Sequence, residues 1–316
     1  MVRLVASRRR FLQSYAIAGV LFQPFSGAAG VARAAGVSGA AGAEELSPKS
    51  RSDRRFRIGL SQYSLHRMIK AGKLAALDYP EFAQAQFGIR EIDVWEGTFP
   101  KDEGARDQHA RDCRKRADDA GSRVFLLMAG VVDASQSTSD TSGFLPWLDR
   151  ARVLGCDFVR VFLRASDDAP EKALDMAASA MAPLSDQAKQ RGLSIVIEPG
   201  ASKLTQQGKW LAQLMQSMKH SNCKLMPDFG KFGSYDIYDG TAAMMPHTKV
   251  ISAKSHDFRA DGQEVRFDYP RLMKIATEAD FRGIVAIEYE GSHLDEVAGV
   301  KATQRLLTQI RDSMPA

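Results

Sequence analysis

Short apolar runs rich in β-branched residues recur along most of the chain, and the segments between them carry apolar positions at helical spacing. The runs are Arg57–Tyr63, Arg90–Trp95, Arg123–Met128, Asp157–Arg164, Leu193–Glu198, Lys224–Asp228, Lys249–Lys254 and Gly283–Glu288. Their first residues are 33, 33, 34, 36, 31, 25 and 34 positions apart. A closed barrel of ~250 residues needs about 31 per strand–helix unit. Eight units at this period, with no glycine-rich dinucleotide fingerprint, predict an α/β fold, a single (β/α)8 TIM barrel, over an open doubly wound sheet.

The intervening segments end where such helices should end. Pro80 to Ala85 leads into Phe87-Gly88, Leu145 to Leu154 stops at Gly155, and Ala173 to Arg191 stops at Gly192. Glycine closes a helix by taking the left-handed conformation after its last turn. The 25-residue spacing after the sixth run leaves room only for a short helix there. No second domain is expected, and the barrel is assigned to residues 56–316.

The first 55 residues follow different rules. Residues 35–55 are Gly, Ala, Ser and charge without periodicity, which reads as a flexible linker. Residues 1–34 read as a twin-arginine signal peptide: Ser7-Arg8-Arg9-Arg10-Phe11-Leu12-Gln13, a weakly apolar stretch from Tyr15 to Ala32, and the small-x-small site Ala32-Arg33-Ala34. Gln23 and Pro24 interrupt that stretch, which has too few large apolar residues to span ~30 Å of hydrocarbon, so no stable membrane anchor is expected. The implied partner is the twin-arginine export machinery, and the implied location is periplasmic or secreted. The formal net charge is +5, but residues 1–34 hold five arginines and no lysine or acid, leaving the remainder near zero. A near-neutral surface gives no electrostatic reason to expect nucleic acid as a partner. Cys113, Cys156 and Cys223 form no CxxC pair, so neither a zinc ribbon nor a disulfide framework is suggested.

Active sites of such barrels lie at the C-terminal ends of the strands, so the last residue of each run matters most. The fifth run ends in Glu198, the sixth in Asp228 and the eighth in Glu288. Three carboxylates at one level of a barrel cannot all ionise without a cation between them. A divalent metal is the expected cation. In the seventh run, Ser252, Lys254 and His256 share a face if the strand continues, which makes His256 the nitrogen ligand. The set Glu198, Asp228, His256 and Glu288 is oxygen-rich with one imidazole and suits Mn²⁺, Mg²⁺ or Co²⁺, with Zn²⁺ also allowed.

The strand ends Val-Ile-Glu198-Pro-Gly, Pro-Asp228-Phe-Gly-Lys and Ala-Ile-Glu288-Tyr-Glu-Gly resemble those of the xylose-isomerase-like barrels, which include sugar isomerases and epimerases, ketose 3-epimerases and inosose dehydratase. The resemblance covers residues 56–316 and implies one metal held from the last four strands, with the two glutamates doubling as acid and base. It carries to Glu198, Asp228 and Glu288. The usual seventh-strand ligand falls on Ser252, which leaves two arrangements: His256 from further along, or three protein ligands with water. Barrels of this family often pair, which makes a homodimer the oligomer to test.

The implied reaction is sugar isomerisation or epimerisation, a proton transfer beside a carbonyl through a metal-stabilised enediolate, with Glu198 and Glu288 as base and acid. A lyase or dehydratase acting on a keto-sugar or inosose is the alternative enzyme, and a non-catalytic carbohydrate-binding barrel the alternative class. An endonuclease of the apurinic-site type would want more histidines and a basic groove. Lys254 reads as a substrate contact, a Schiff-base lysine or a partner of the neighbouring carboxylates. Arg164 binds substrate or pairs with Asp167 or Asp168, and Lys231 is placed to reach the substrate. Trp95, Glu96, Tyr63 and His66 suit the wall of a sugar pocket, although Trp95 and His66 equally suit packing.

Overall fold

The computed structural model describes residues 56–136, 140–218 and 220–314. The expected signal peptide and linker lie outside the described residues. All eight anticipated runs overlap a strand: β1 Arg57–Leu60, β2 Glu91–Trp95, β3 Arg123–Ala134, β4 Phe158–Ala165, β5 Ser194–Glu198, β6 Cys223–Leu225, β7 Val250–Ser255 and β8 Ile284–Tyr289. They form one parallel sheet in the order β6-β5-β4-β3-β2-β1-β8-β7. Parallel bridges Leu225↔Thr248 and Asp228↔Ser252 join its two edges, closing a single (β/α)8 barrel.

The helices are α1 His66–Lys70, α2 Tyr79–Phe87, α3 Glu103–Asp119, α4 Leu145–Leu154, α5 Pro170–Gln190, α6 Gly208–Met218, α7 Ile237–Met244, α8 Tyr269–Glu278 and α9 Glu296–Ser313. The glycine stops fall where expected: Gly88 and Gly155 close α2 and α4 at φ 66° and 76°. The short sixth-to-seventh connection holds α7, eight residues long. No helix of the described residues is long and apolar enough to cross a membrane.

Strand alternation sorts the core into two parts. Ile195, Ile197, Ile251, Ala253, Val285 and Ile287 face outward into the layer shared with the helices. Phe125, Met128, Val196, Met226, Val250, Ile284 and Ala286 fill the barrel interior. That apolar plug is the floor on which the strand-end side chains stand.

Candidate active site

The inward rows of β5, β7 and β8 change from apolar to polar at one height. Glu198 stands two residues above Val196, Ser252 and Lys254 above Val250, and Glu288 above Ala286. Register fixes that height: Phe162 pairs with Glu198, Asp228 bridges Ser252, and Lys254 pairs with Glu288. These side chains are almost inaccessible, with Glu198 2 %, Asp228 0 %, Lys254 3 % and Glu288 6 % exposed. Burying so much charge demands compensation.

The compensation comes from the chain itself. The Lys254 ammonium donates to Glu288 Oε1 at 2.9 Å and to Glu290 Oε1 at 2.6 Å, and lies 3.4 Å from Asp228 Oδ2. The Ser252 hydroxyl sits between the same two strand-end acids, 2.7 Å from Glu288 Oε2 and 3.0 Å from Asp228 Oδ2. Asp228 Oδ1 accepts the Gly230 N–H at 2.7 Å. On the far side Arg160 Nε lies 2.9 Å from Glu198 Oε2, close in distance though not aligned as a hydrogen bond. Charge repulsion was a sound reason to expect a cation among these acids. The cation that the structure places there is an ammonium.

The expected metal set is not assembled. Among the described residues no group of three or more His, Cys, Asp or Glu side chains is arranged to hold a metal ion. His256 is the clearest correction. The β7 ladder ends at Ser255↔Tyr289, and the Glu264 carboxylate then accepts the backbone N–H groups of His256, Arg266 and Phe267, turning the chain off the inward row. The His256 ring packs beside Phe267, with ring centres 6.0 Å apart. Its place on the inward row is taken two residues earlier by Lys254. An ion beside that ammonium would meet repulsion of about 4 kcal/mol per unit of charge at ~4 Å and an effective dielectric of 20. The residues present do not fit a divalent metal.

The acidities of the two glutamates are shifted in opposite directions. Burial pushes the Glu198 carboxyl well above the usual range, only partly offset by Arg160, with Asp228 and Glu288 adding to the rise. Burial acts on Glu288 in the same direction, but the Lys254 charge and the hydrogen bonds from Lys254 and Ser252 overcome it and bring Glu288 down to about 2. Environments that drive two acids apart in this way prepare one as a proton donor and the other as an acceptor.

Above the acids opens a cavity of about 360 Å³, within the roughly 300–1,000 Å³ usual for small-molecule sites. Tyr63, Trp95 and Phe162 supply aromatic wall, and Lys231 stands in it with its ammonium 5.5 Å from the Phe162 ring centre. Larger clefts of about 500 and 620 Å³ lie around the loop after β7 and along α8 and α9, without the paired glutamates. Of the residues expected to meet substrate, Tyr63, Trp95, Glu96 and Lys231 line the cavity, whereas Lys254 lies among the acids and not in the cavity lining. His66 instead stacks flat behind Tyr63 at 4.4 Å and its Nδ1 lies 2.7 Å from the Tyr63 carbonyl, which makes it a support for that wall. Arg164, half exposed at the end of β4, pairs with Asp133 at 2.9 Å and not with Asp167 or Asp168. Arg160, one inward step below Phe162, is the β4 cation that reaches the site.

Gly230 makes room for this arrangement. A Cβ there would come within 2.4 Å of Lys254 Cδ and 3.3 Å of its Cγ and Cε, so the lysine stem lies in a slot that only glycine leaves open. Gly230→Ala is expected to cost about 1–3 kcal/mol by overpacking. Urea denaturation should show that cost shrinking in a Lys254→Ala background; an equal cost in both backgrounds would contradict the slot.

Below the rim, Asp93 faces inward from β2, fully buried. Its Oδ1 accepts the Gln62 N–H at 2.8 Å, while Oδ2 has no hydrogen-bond partner. Gln62 Oε1 in turn accepts the Trp95 N–H and the Thr98 hydroxyl, so this clamp sets the Tyr63–Trp95 wall. Burial raises Asp93 to about 8 despite the Gln62 hydrogen bond. The folded protein therefore keeps this proton while the unfolded chain, near pKa 3.9, loses it. The contribution of this group to stability is greatest below that unfolded value and falls by about 1.4 kcal/mol per pH unit as pH rises toward 8. Asp93→Asn should flatten the melting temperature between pH 5 and 8, and an unchanged slope would rule this group out as its source.

Comparison with the curated proteins finds no match. Solved structures do share the fold. The 3-keto-D-glucoside 4-epimerase from E. coli matches with a TM-score of 0.60 at 11% identity, over 80% of this chain and 100% of that one. A candidate 3-DHS dehydratase involved in petrobactin synthesis, from Bacillus anthracis, matches with 0.59 at 15% identity, over 80% and 99%. The IolI protein, whose crystal structure holds a zinc atom, matches with 0.62 at 13% identity, over 82% and 100%. The family model for xylose isomerase-like TIM barrels matches residues 82–310. The strand order, the strand-end acids and that match agree, and the chain belongs to the xylose isomerase-like TIM barrel family.

Proposed function

We propose that this barrel is a sugar isomerase or epimerase that moves a proton at a carbon beside a carbonyl. One observation carries the reading: Glu198 and Glu288 line one cavity of about 360 Å³ with their acidities driven apart, Glu198 pushed up by burial and Glu288 drawn down, against burial, by Lys254 and Ser252. Removing a proton next to a carbonyl needs a base and a cationic neighbour for the oxygen that gains charge. Glu288 takes the proton. The C–H electron pair forms the enediolate double bond, and the carbonyl pair moves to oxygen, where the Lys254 ammonium and the Arg160 guanidinium face it. As Lys254 turns its hydrogen bond to that oxygen, Glu288 loses its main stabilisation and gains basicity. Glu198 then gives its proton to the same carbon from the opposite face, producing an epimer; if it gives it to the neighbouring carbon instead, the proton of the first hydroxyl passes to the enolate oxygen as the new carbonyl forms, producing an isomer.

The cavity favours an uncharged substrate. Glu96, Glu198, Glu288 and Glu290 line it against two cations, Arg160 and Lys231, so a phosphate would meet more acid than base. Tyr63, Trp95 and Phe162 suit the apolar face of a sugar ring. The structural neighbour named as a 3-keto-D-glucoside 4-epimerase, whose substrate is an uncharged keto-sugar, supports the same class of substrate. The export motif at Ser7–Gln13 adds that the enzyme works in the periplasm or outside the cell, where free sugars are its partners.

The test is incubation of the protein with uncharged ketoses and keto-glucosides beside their phosphorylated forms, with products resolved by chromatography and mass. Conversion at constant mass, confined to the uncharged forms, is expected. Loss of water would make it a dehydratase, with Glu198 protonating a leaving hydroxyl. Binding of a sugar without any conversion would make it a carbohydrate-binding barrel.

A further inference from the structure

We infer that Lys254 and Ser252 take the place of a metal in this barrel, so that its acids are held by an internal ammonium and the protein works without a divalent cation. The inference deepens the isomerase reading and names the cation on which that reading depends, but its test does not need activity.

Three independent features carry it. The first is the use of the oxygens. Both oxygens of Glu288 and both of Asp228 already have partners within 3.4 Å: Lys254 and Ser252 on Glu288, and Ser252, Lys254 and the Gly230 N–H on Asp228. An ammonium has three N–H donors, and here three carboxylates, those of Asp228, Glu288 and Glu290, surround it. The second is the seat. Gly230 leaves the space through which the lysine stem runs, since a Cβ there would stand 2.4 Å from Lys254 Cδ. The lysine lies in a groove shaped for it. The third is the donor chemistry at the seventh strand. Ser252 bridges Asp228 across the β6–β7 seam, where a nitrogen ligand would have to stand to join the two acids. It offers a hydroxyl, a poor ligand unless ionised, and the nearest imidazole on that segment, His256, packs beside Phe267.

A lysine in this position differs from a metal in what it can do. It gives a single charge with directed N–H donors, and it turns about its stem from the acids to a substrate oxygen. It does not hold two oxygens of one substrate in a fixed chelate. Recognition of the second oxygen then falls to Arg160 and Lys231, the two cations that line the cavity.

The experiment measures metal content and thermal stability of the full chain, as wild type and as Ser252→His/Lys254→Ala. The wild type is expected to hold less than about a tenth of an equivalent of any divalent metal, with a melting temperature unmoved by EDTA or by millimolar Mn²⁺, Mg²⁺ or Zn²⁺. The double variant, with its ammonium removed and an imidazole supplied, is expected to gain a saturable rise in melting temperature with Mn²⁺ or Zn²⁺. About one equivalent of metal in the wild type, or a saturable metal-dependent rise that Glu288→Gln abolishes, overturns the inference. If the double variant does not fold, the wild-type measurement alone decides. Sugar conversion by a metal-free wild type leaves both readings standing, whereas absence of conversion bears only on the isomerase assignment.

Discussion

Lys254→Met is expected to lower stability by about 3–5 kcal/mol at pH 7, the usual cost of removing one partner from a buried ion pair. Lys254 is 3 % exposed and compensates Asp228 and Glu288, themselves 0 % and 6 % exposed, so water is a poor replacement for its charge. At roughly 2–4 °C per kcal/mol for a domain of this size, the melting temperature should fall by about 10 °C. The loss has a defined pH dependence. Glu288 is held at about 2 in the folded wild type, against an unfolded carboxylate near 4.3. Its contribution is therefore complete above the unfolded value and disappears as pH falls toward 2. The variant lacks that contribution, so the two proteins should converge in acid. Adding Glu288→Gln to Lys254→Met should recover part of the loss, because the orphaned charge is then gone. Urea titrations from pH 3 to 8 test this, and a loss below about 1 kcal/mol at pH 7 would mean that Lys254 is not the compensating charge.

Glu288→Gln is expected to reduce kcat by about 10²–10⁴-fold, the range for a general base, with little change in KM. The amide keeps the shape and can still accept from Lys254, so the fold and the pocket should survive. Glu198→Gln should fall in the same range, since an amide cannot give the proton back to carbon. The pH profile separates the two. Glu198 acts protonated and its pKa is raised by burial, so wild-type kcat/KM should fall on the alkaline side as that proton is lost. Glu288 stays ionised down to about 2, so the acidic side should be flat through the pH range in which the protein is folded. An acidic limb near neutrality would assign the base to another residue.

The barrel was legible because its signal is a period. Eight runs near one spacing survive errors of a few residues at each end, and β6 is only three residues long without breaking the pattern. Glu198, Asp228 and Glu288 were legible for a related reason, since closure of the sheet forces strand ends to one level. Arg160 and Asp93 escaped because attention to strand ends passes over the inward row below them. A charged residue two places before Phe162, and another two before Trp95, was the available sign. His256 was misplaced because alternation holds only while the strand lasts, and the Glu264 carboxylate that ends β7 comes from eight residues further on. The sequence pointed to a divalent metal among the acids because what favours an ammonium there is steric. Whether a lysine stem can reach three acids depends on the Gly230 slot, which no spacing rule reports.

The most direct test of the central claim is solvent deuterium exchange. The full chain is incubated in D₂O with uncharged ketoses and keto-glucosides, and the sugars are read by NMR. Glu198 and Glu288 acting at carbon predict deuterium at the position beside the carbonyl with wild-type protein, and a rate lower by at least about a hundredfold with Glu288→Gln. Exchange that persists undiminished in Glu288→Gln, or no exchange by folded wild type with a sugar that it binds, would contradict the account.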